Sequence, residues 1–360
     1  MVALLSGCLG SSKSSTAPTL AFMYVVGQGD NAIRGLSEKT TGDLAPLPVA
    51  SFSTNPRPVS IALHPSRNFL YVPNLTSNTV SGFNVDHISG VLTPIGTALP
   101  PTPVQLQPVA VGINSTGAFL YVLNQGSASI SAFNIDPARG ILTEIAGSPF
   151  PTAANPQSMA VSPNAGFLYV GNGTLGTISG FAIAANGTLA AVAGSPFSAG
   201  AGATLAGITI DPKGQFLYAA DSVNNKIVSF GISSGGVLAA VAGSPFAAGT
   251  KPVAIAVDSS ASFLYSANQG SNNVSAFKIN AGALTEISGS PYAVVTSGTV
   301  GTPQPAFLTV DVSNTFLYVG NNGTTNISAF GIKSSDGTLS LLATSPFPQA
   351  VAPLWIVTTQ

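Results

Sequence analysis

Residues 58–72 read PVSIALHPSRNFLYV, and the last four of them decide the fold. Phe69, Leu70, Tyr71 and Val72 are apolar in succession instead of alternating with polar residues, so a strand formed here must be covered on both faces. Turn formers bound it. "PVSIAL" (58–63) passes through "HPSRN" into "FLYV"; an Asn-rich loop leads to "TVSGFNV" (79–85), and a glycine turn to "VLTPI" (91–95). The stretch therefore opens a unit of four short strands.

The unit recurs. Phe-Leu-Tyr stands at Phe69, Phe119, Phe167, Phe216, Phe263 and Phe316, with Phe22-Met23-Tyr24 as a seventh copy, at spacings of 47, 50, 48, 49, 47 and 53 residues. Seven four-stranded units of this length, each doubly covered, predict an all-β chain: a seven-bladed β-propeller whose blades stack around an axis. Ala62, Gly112, Ala160, Thr209, Ala256 and Thr309 are all small, which suits an innermost strand crowded at that axis. "GSPF" at 147–150, 194–197 and 243–246, "GSPY" at 289–292 and "TSPF" at 344–347 leave the outermost strand and are expected to wedge a ring between blades. The first unit has no innermost strand before Phe22, while Pro353-Leu354-Trp355-Ile356-Val357 aligns with 58–62 and has no unit of its own. The last strand is expected to complete the first blade, because an open ring would expose unpaired edges.

Composition narrows the function. Charged residues are 6% of 360 and the net charge is −1, so no basic field exists for nucleic acid or an anionic membrane. Mean hydropathy is positive, yet no apolar run reaches the length of a membrane-spanning helix. Gly (39) and Pro (27) fit many tight turns.

Cys8 is the single cysteine, which rules out an internal disulfide. Leu5-Ser6-Gly7-Cys8 resembles a bacterial lipobox, whose cysteine carries lipid, and a Ser/Thr-rich tether over Ser11 to Thr19 follows it. The seven residues before Cys8 are short for a signal peptide, which an initiation site assigned too far downstream would explain; an ordinary tail cysteine is the other reading. The expected organisation is a leader and tether over 1–19 and a propeller over 20–360. The protein is expected to be exported, periplasmic or at the cell surface, to meet membrane only through lipid on Cys8, and to be a monomer.

The pattern P-x-S-I-A-V-x-P-x-x-x-F-L-Y-V-x-N-x-G-S-x-x-V-S-A-F, repeated over about residues 20–360, resembles the lactonase family of seven-bladed propellers, which includes one class of 6-phosphogluconolactonase, and overlaps with YVTN-type propellers. The resemblance implies a histidine near the start of an innermost strand, with arginine and acidic groups around an axial pocket. The matching positions are Val59, Val109, Gln157, Ala206, Val253, Ala306 and Leu354, with no histidine among them. An acidic loop of the family corresponds to Asn74-Leu75-Thr76-Ser77-Asn78, and an Asn-Arg-Gly loop to Asn124-Gln125-Gly126 and Asn268-Gln269-Gly270. Neutral amides stand where the family has charges.

Antiparallel strands put the first-to-second and third-to-fourth turns on one face of the disc, with His64 and His87, read as surface or turn residues. The other face, made of second-to-third loops and crossovers, is the expected ligand face. Its ionisable residues are Asp221 and Lys226, Arg57 and Lys251 just before two strand-opening prolines, and Asp30 and Arg34. Asp221 occupies the position of Asn74, Asn124, Asn172, Asn268 and Asn321. It is either a general base for lactone hydrolysis, with Arg57 and Lys251 as oxyanion clamps, or a turn cap binding backbone amides. Phe307 and Trp355 replace small residues near the axis and form either a stacking surface for a sugar ring or a plug. No His/Cys/Asp/Glu cluster has metal spacing, and no cofactor is expected. Two functions stay open: a propeller that binds a carbohydrate, lactone or protein on its axial face without chemistry, and a lactonase acting in the axial pocket.

Overall fold

Phe69–Asn74 is buried along its whole length, and the strands at Phe119–Asn124, Phe167–Asn172, Phe216–Asp221, Phe263–Asn268 and Phe316–Asn321 repeat its burial. A computed structural model describes residues 19–96, 101–164, 166–294, 301–349 and 352–359. Each such strand is the second of an antiparallel blade, flanked by an innermost strand and a third strand. Seven blades result. Blade 1 joins Thr19–Gln28, Ala32–Lys39 and Leu44–Ser53 to the last strand, Ala352–Thr358. Blades 2 to 7 follow in chain order, their innermost strands starting near residues 62, 108, 158, 205, 252 and 305. Thr19 lies in the first strand, paired with Lys39, and not in a tether; Cys8 and the lipobox lie outside the described residues.

The closure strand pairs as the sequence predicts. Ile356 faces Val25, Val357 faces Tyr24 and Trp355 faces Val26. Thr359 then completes a turn that has no covalent link: its N–H donates to the Phe22 carbonyl at 2.7 Å and its Oγ1 accepts from the Phe22 N–H at 2.9 Å. In the other blades the same corner is made by one continuous chain, through His64, Asn114, Ser162, Asp211, Asp258 and Asp311, all buried. Asp258 accepts two backbone N–H groups there, as Asp211 does from Gln215 and Phe216, and Asp311 accepts three. Thr359, His64, Asn114, Asp211, Asp258 and Asp311 share one task, each accepting a backbone N–H of its corner on the side chain.

His64 lies in the turn, as expected, but not at the surface. It is 7% exposed, its Nδ1 meets Ser66 Oγ at 2.7 Å and its Nε2 meets the Gly117 carbonyl of blade 3 at 2.9 Å. The imidazole is a blade-to-blade strut. His87 is exposed, with Nε2 on Asn68 Oδ1 at 2.8 Å.

Seven hydrophobic clusters fill the seven seams between blades. The repeated tyrosine crosses each seam. Tyr24, Tyr71, Tyr121, Tyr169 and Tyr265 donate to the carbonyls of Gly90, Gly140, Gly187, Gly236 and Gly337 in the next blade, at 2.6 to 3.1 Å. These glycines have positive φ, and a Cβ on Gly236 would lie 2.4 Å from the Phe167 ring, so no larger residue fits. Tyr318 closes the circle onto blade 1, donating to the Gly42 carbonyl and to Glu38 Oε1, both at 3.0 Å. Tyr218 is the exception, since the Gly282 carbonyl takes Ser229 Oγ at 2.7 Å and the Tyr218 hydroxyl has no partner.

The outermost strand is built in two pieces. Leu142–Glu144 pairs with the lower part of the third strand, and Phe150–Pro151 returns to pair with Ser129 and Ile130. Between them Ser148 Oγ accepts the Ala132 N–H at 3.1 Å, replacing a ladder bond; Ser195, Ser244, Ser290 and Ser345 do the same in their blades. The Ser-Pro-Phe segment thus belongs to the outermost strand and does not leave it, while its ring packs into the seam.

Candidate functional site

The ligand face is made of the second-to-third loops and the residues that open the innermost strands. In five blades the residue before the opening proline has a left-handed backbone: Arg57 (φ 62), Gln107 (φ 53), Asn155 (φ 55), Lys251 (φ 55) and Gln304 (φ 49). Such a conformation costs a non-glycine residue of order 1 kcal/mol and persists only where neighbouring bonds enforce it. Here they do. Asn31, Asn78, Asn225 and Asn272 reach from the preceding blade to accept the N–H of Arg57, Gln107, Lys251 and Gln304 at 2.8 to 3.1 Å. The carbonyls of the same four residues accept N–H groups of Leu75, Gln125, Gln269 and Asn322. Arg57, Gln107, Lys251 and Gln304 are exposed, and Asn155 is half-buried. The result is a rim of long polar side chains on locked backbone. Sequence reading found Arg57 and Lys251 but missed Gln107, Asn155 and Gln304, although each also precedes a proline.

The amides behind this rim are structural. Asn74, Asn124, Asn172, Asn268 and Asn321 are fully buried. Each sends its Nδ2 to a serine seven residues on, to Ser81, Ser131, Ser179, Ser275 and Ser328, at 2.8 to 3.0 Å. They tie the second strand to the third, and the Oδ1 atoms of Asn74, Asn124, Asn172 and Asn321 are buried without a partner.

Asp221 follows the turn-cap reading. It is 3% exposed; Oδ1 accepts the N–H of Thr204 at 3.0 Å and of Asn224 at 3.2 Å, and Oδ2 accepts Asn224 Nδ2 at 2.7 Å. A carboxylate cannot donate, and the position seven residues on is accordingly Val228 instead of serine. Both oxygens are committed to the turn.

The cations are spread out. Lys226 and Lys251 are both exposed and flank one interblade bond, Lys251 N–H to Asn225 Oδ1. Arg57 opens blade 2, three blades from Asp221 in a ring of seven, so that clamp lies across the axis from Asp221, while Lys251 opens the neighbouring blade 6. Arg34 pairs with Asp30 of its own blade. No group of three or more His, Cys, Asp or Glu among the described residues could hold a metal ion.

Phe307 and Trp355 stack on each other, with centroids 4.4 Å apart and planes at 28°. Their position explains why. At the matching place in blade 5, a Cβ on Gly207 would lie 2.7 Å from the Val253 carbonyl oxygen of blade 6, so a side chain there points at the next innermost strand. Between blades 7 and 1 the same gap holds two rings. They stack across the seam between blades 7 and 1, and both remain half-buried.

One acidic group lies outside this face. Glu38 in blade 1 is completely buried against blade 7, and burial, with Asp311 nearby, raises its carboxyl pKa to about 7, against the opposing hydrogen bond from Tyr318. It serves the seam.

Comparison with known proteins agrees with this architecture. The model of the "Lactonase, 7-bladed beta-propeller" family matches residues 14–203 and 154–300. Among solved structures, the periplasmic gluconolactonase of Pseudomonas aeruginosa superposes with a TM-score of 0.79 at 16% identity, over 94% of this chain and 99% of that one. A Bacteroides uniformis protein described as a "putative 6-phosphogluconolactonase" gives 0.79 at 17% identity, again over 94% and 99%. A Lactobacillus plantarum protein gives 0.77 at 17%, over 95% and 100%. No curated protein matches the sequence.

Proposed function

The chain belongs to the lactonase family of seven-bladed β-propellers, and from that premise we propose that its axial face binds a small polyhydroxylated ligand of the sugar-lactone class without hydrolysing it. The observation that carries the reading is the state of Asp221. Its two oxygens are occupied by backbone and amide donors, and it is cut off from solvent. A general base must reach the proton it removes, and Asp221 is buried with donors from Thr204 and Asn224 on both of its oxygens. His64 and His87 lie in turns of the opposite face.

The rim of Arg57, Gln107, Asn155, Lys251 and Gln304 suits binding better than catalysis. Amide and cationic donors on rigid backbone recognise hydroxyl and carbonyl oxygens. Two exposed lysines and one distant arginine make a poor phosphate site, which favours an unphosphorylated ligand. An extracytoplasmic location is part of the same proposal and fits the name of the Pseudomonas relative. The other reading is a lactonase, which the names of that relative and of the Bacteroides protein favour.

The test presents the full chain with glucono-lactones, other sugar lactones and aliphatic lactones, following acid release and, separately, binding by calorimetry. Saturable binding without turnover, weakened when Gln107 and Gln304 are both changed to alanine, is the expected result. Turnover that survives His64→Ala and vanishes in a folded Asp221→Asn protein would overturn it.

A further inference from the structure

Six of the seven seams contain an aromatic ring from the outermost strand. Phe52, Phe150, Phe197, Phe246, Tyr292 and Phe347 pack against six of the interblade clusters. The cluster between blades 2 and 3 has none. Register shows what stands there instead. Phe150 pairs with Ile130, Phe197 with Ile178, Phe246 with Ile227, Tyr292 with Val274 and Phe347 with Ile327; in blade 2 the partner of Val80 is Thr102. A threonine thus occupies the place of the ring.

The missing ring leaves a space. A cleft of about 300 Å³ is lined by Tyr71, Val80, Gly82, Ile95, Thr102 and Leu142, among others. A Cβ on Gly180, the counterpart of Gly82 in blade 4, would touch the Phe197 ring at 3.1 Å, and on Gly82 it would touch Ile95 Cδ1 at the same distance, so Ile95 covers the inner edge of the ring's place and forms the cleft wall there. The volume is at the low end for small-ligand pockets, and about twice the roughly 150 Å³ of an apolar cavity that takes up benzene.

We propose that this cleft, at the outer end of the seam between blades 2 and 3 and lined by none of the five rim residues, binds a small neutral molecule with a single aromatic ring and a hydroxyl group. The fold itself specifies the ring, since the same space is filled by phenyl groups in five other seams and by a phenol, Tyr292, in a sixth. The hydroxyl follows from the lining, where Ser53, Thr54, Asn55, Ser81 and Thr102 supply hydroxyl and amide groups beside the apolar floor. Neutrality follows from the absence of any charged side chain among the described residues of that lining. A free molecule fits better than a peptide strand. Thr102–Pro103 already pairs with Thr79 and Val80, so the backbone slot is taken and only the ring volume is open.

The experiment titrates the full chain with 4-fluorophenol, followed by fluorine line broadening, with cyclohexanol as competitor. Saturable binding that cyclohexanol displaces poorly is expected, with the dissociation constant rising at least tenfold in Thr102→Phe, which restores the ring of the other blades. Thr102→Phe is also expected to raise the unfolding midpoint. If that variant does not fold, Thr102→Leu fills part of the same space and is read in the same way. No binding by the unaltered protein, or binding unchanged by either substitution, overturns the proposal.

Discussion

Changing Tyr169 to phenylalanine and Tyr218 to phenylalanine removes the same atom from the same repeat position, yet the two proteins are expected to differ in stability. Tyr169 is fully buried and its hydroxyl donates to the Gly236 carbonyl at 2.8 Å. Deleting it strands a buried acceptor, at a cost of about 1–2 kcal/mol. Tyr218 is equally buried, but its hydroxyl has no partner because Ser229 holds the Gly282 carbonyl. Removing an unpaired buried hydroxyl relieves a desolvation cost, so Tyr218→Phe should be neutral or stabilising by about 1 kcal/mol. The two variants should then lie about 1–3 kcal/mol apart. Guanidinium unfolding measures this, with far-ultraviolet circular dichroism and the fluorescence of Trp355, the single tryptophan, as probes. Ser229→Ala supplies the control. With the serine gone, Tyr218 can take over the Gly282 carbonyl, so Ser229→Ala should cost little alone and about 1 kcal/mol more when combined with Tyr218→Phe. Equal losses in Tyr169→Phe and Tyr218→Phe would refute the assignment of seam tyrosines as directional interblade bonds and reduce them to packing.

Three further outcomes are expected. Ending the chain before Ala352 removes the partners of Met23 to Gln28 and the burial of Trp355, Ile356 and Val357, worth about 5–8 kcal/mol from side chains alone, so cooperative unfolding should disappear in calorimetry. Glu38 has a carboxyl pKa raised from 4.5 to about 7, so its contribution to stability is complete below pH 4.5 and lost as pH rises to 7; unfolding midpoints should fall across that window by the equivalent of about 3 kcal/mol, and Glu38→Gln should flatten the slope. Asp221→Asn leaves an amide without its serine acceptor and should destabilise by about 1–2 kcal/mol, while adding Val228→Ser recreates the pairing of the other blades and should recover most of it in the same unfolding assay.

Much of the site was legible because it repeats. Asn74 and its equivalents announced a structural role by recurring in five blades, but Asp221 does not share it, because the amides donate to a serine where the carboxylate accepts from Thr204 and Asn224. The ligand rim was harder to see, because Gln107, Asn155 and Gln304 differ in type and are unified only by a left-handed backbone before proline. His64 misled for a related reason. A turn beginning His-Pro-Ser reads as exposed, and only the approach of Gly117 from blade 3 buries the imidazole.

The sequence by itself determined the blade count, the four-strand unit, the seven seam tyrosines and the identity of the closure strand. Each follows from a period or from a continuous apolar run, and both are properties of neighbouring residues along the chain. Tertiary structure alone decided which groups are used up and which spaces are left over. That Ser229 displaces Tyr218, that Asp221 spends both oxygens on its turn and that Phe307 covers Trp355 depend on atoms brought together from different strands or blades. The cleft at Thr102 has the same origin: in the chain it is one missing aromatic residue, and it becomes a binding volume because two blades meet around the place where that ring would have been.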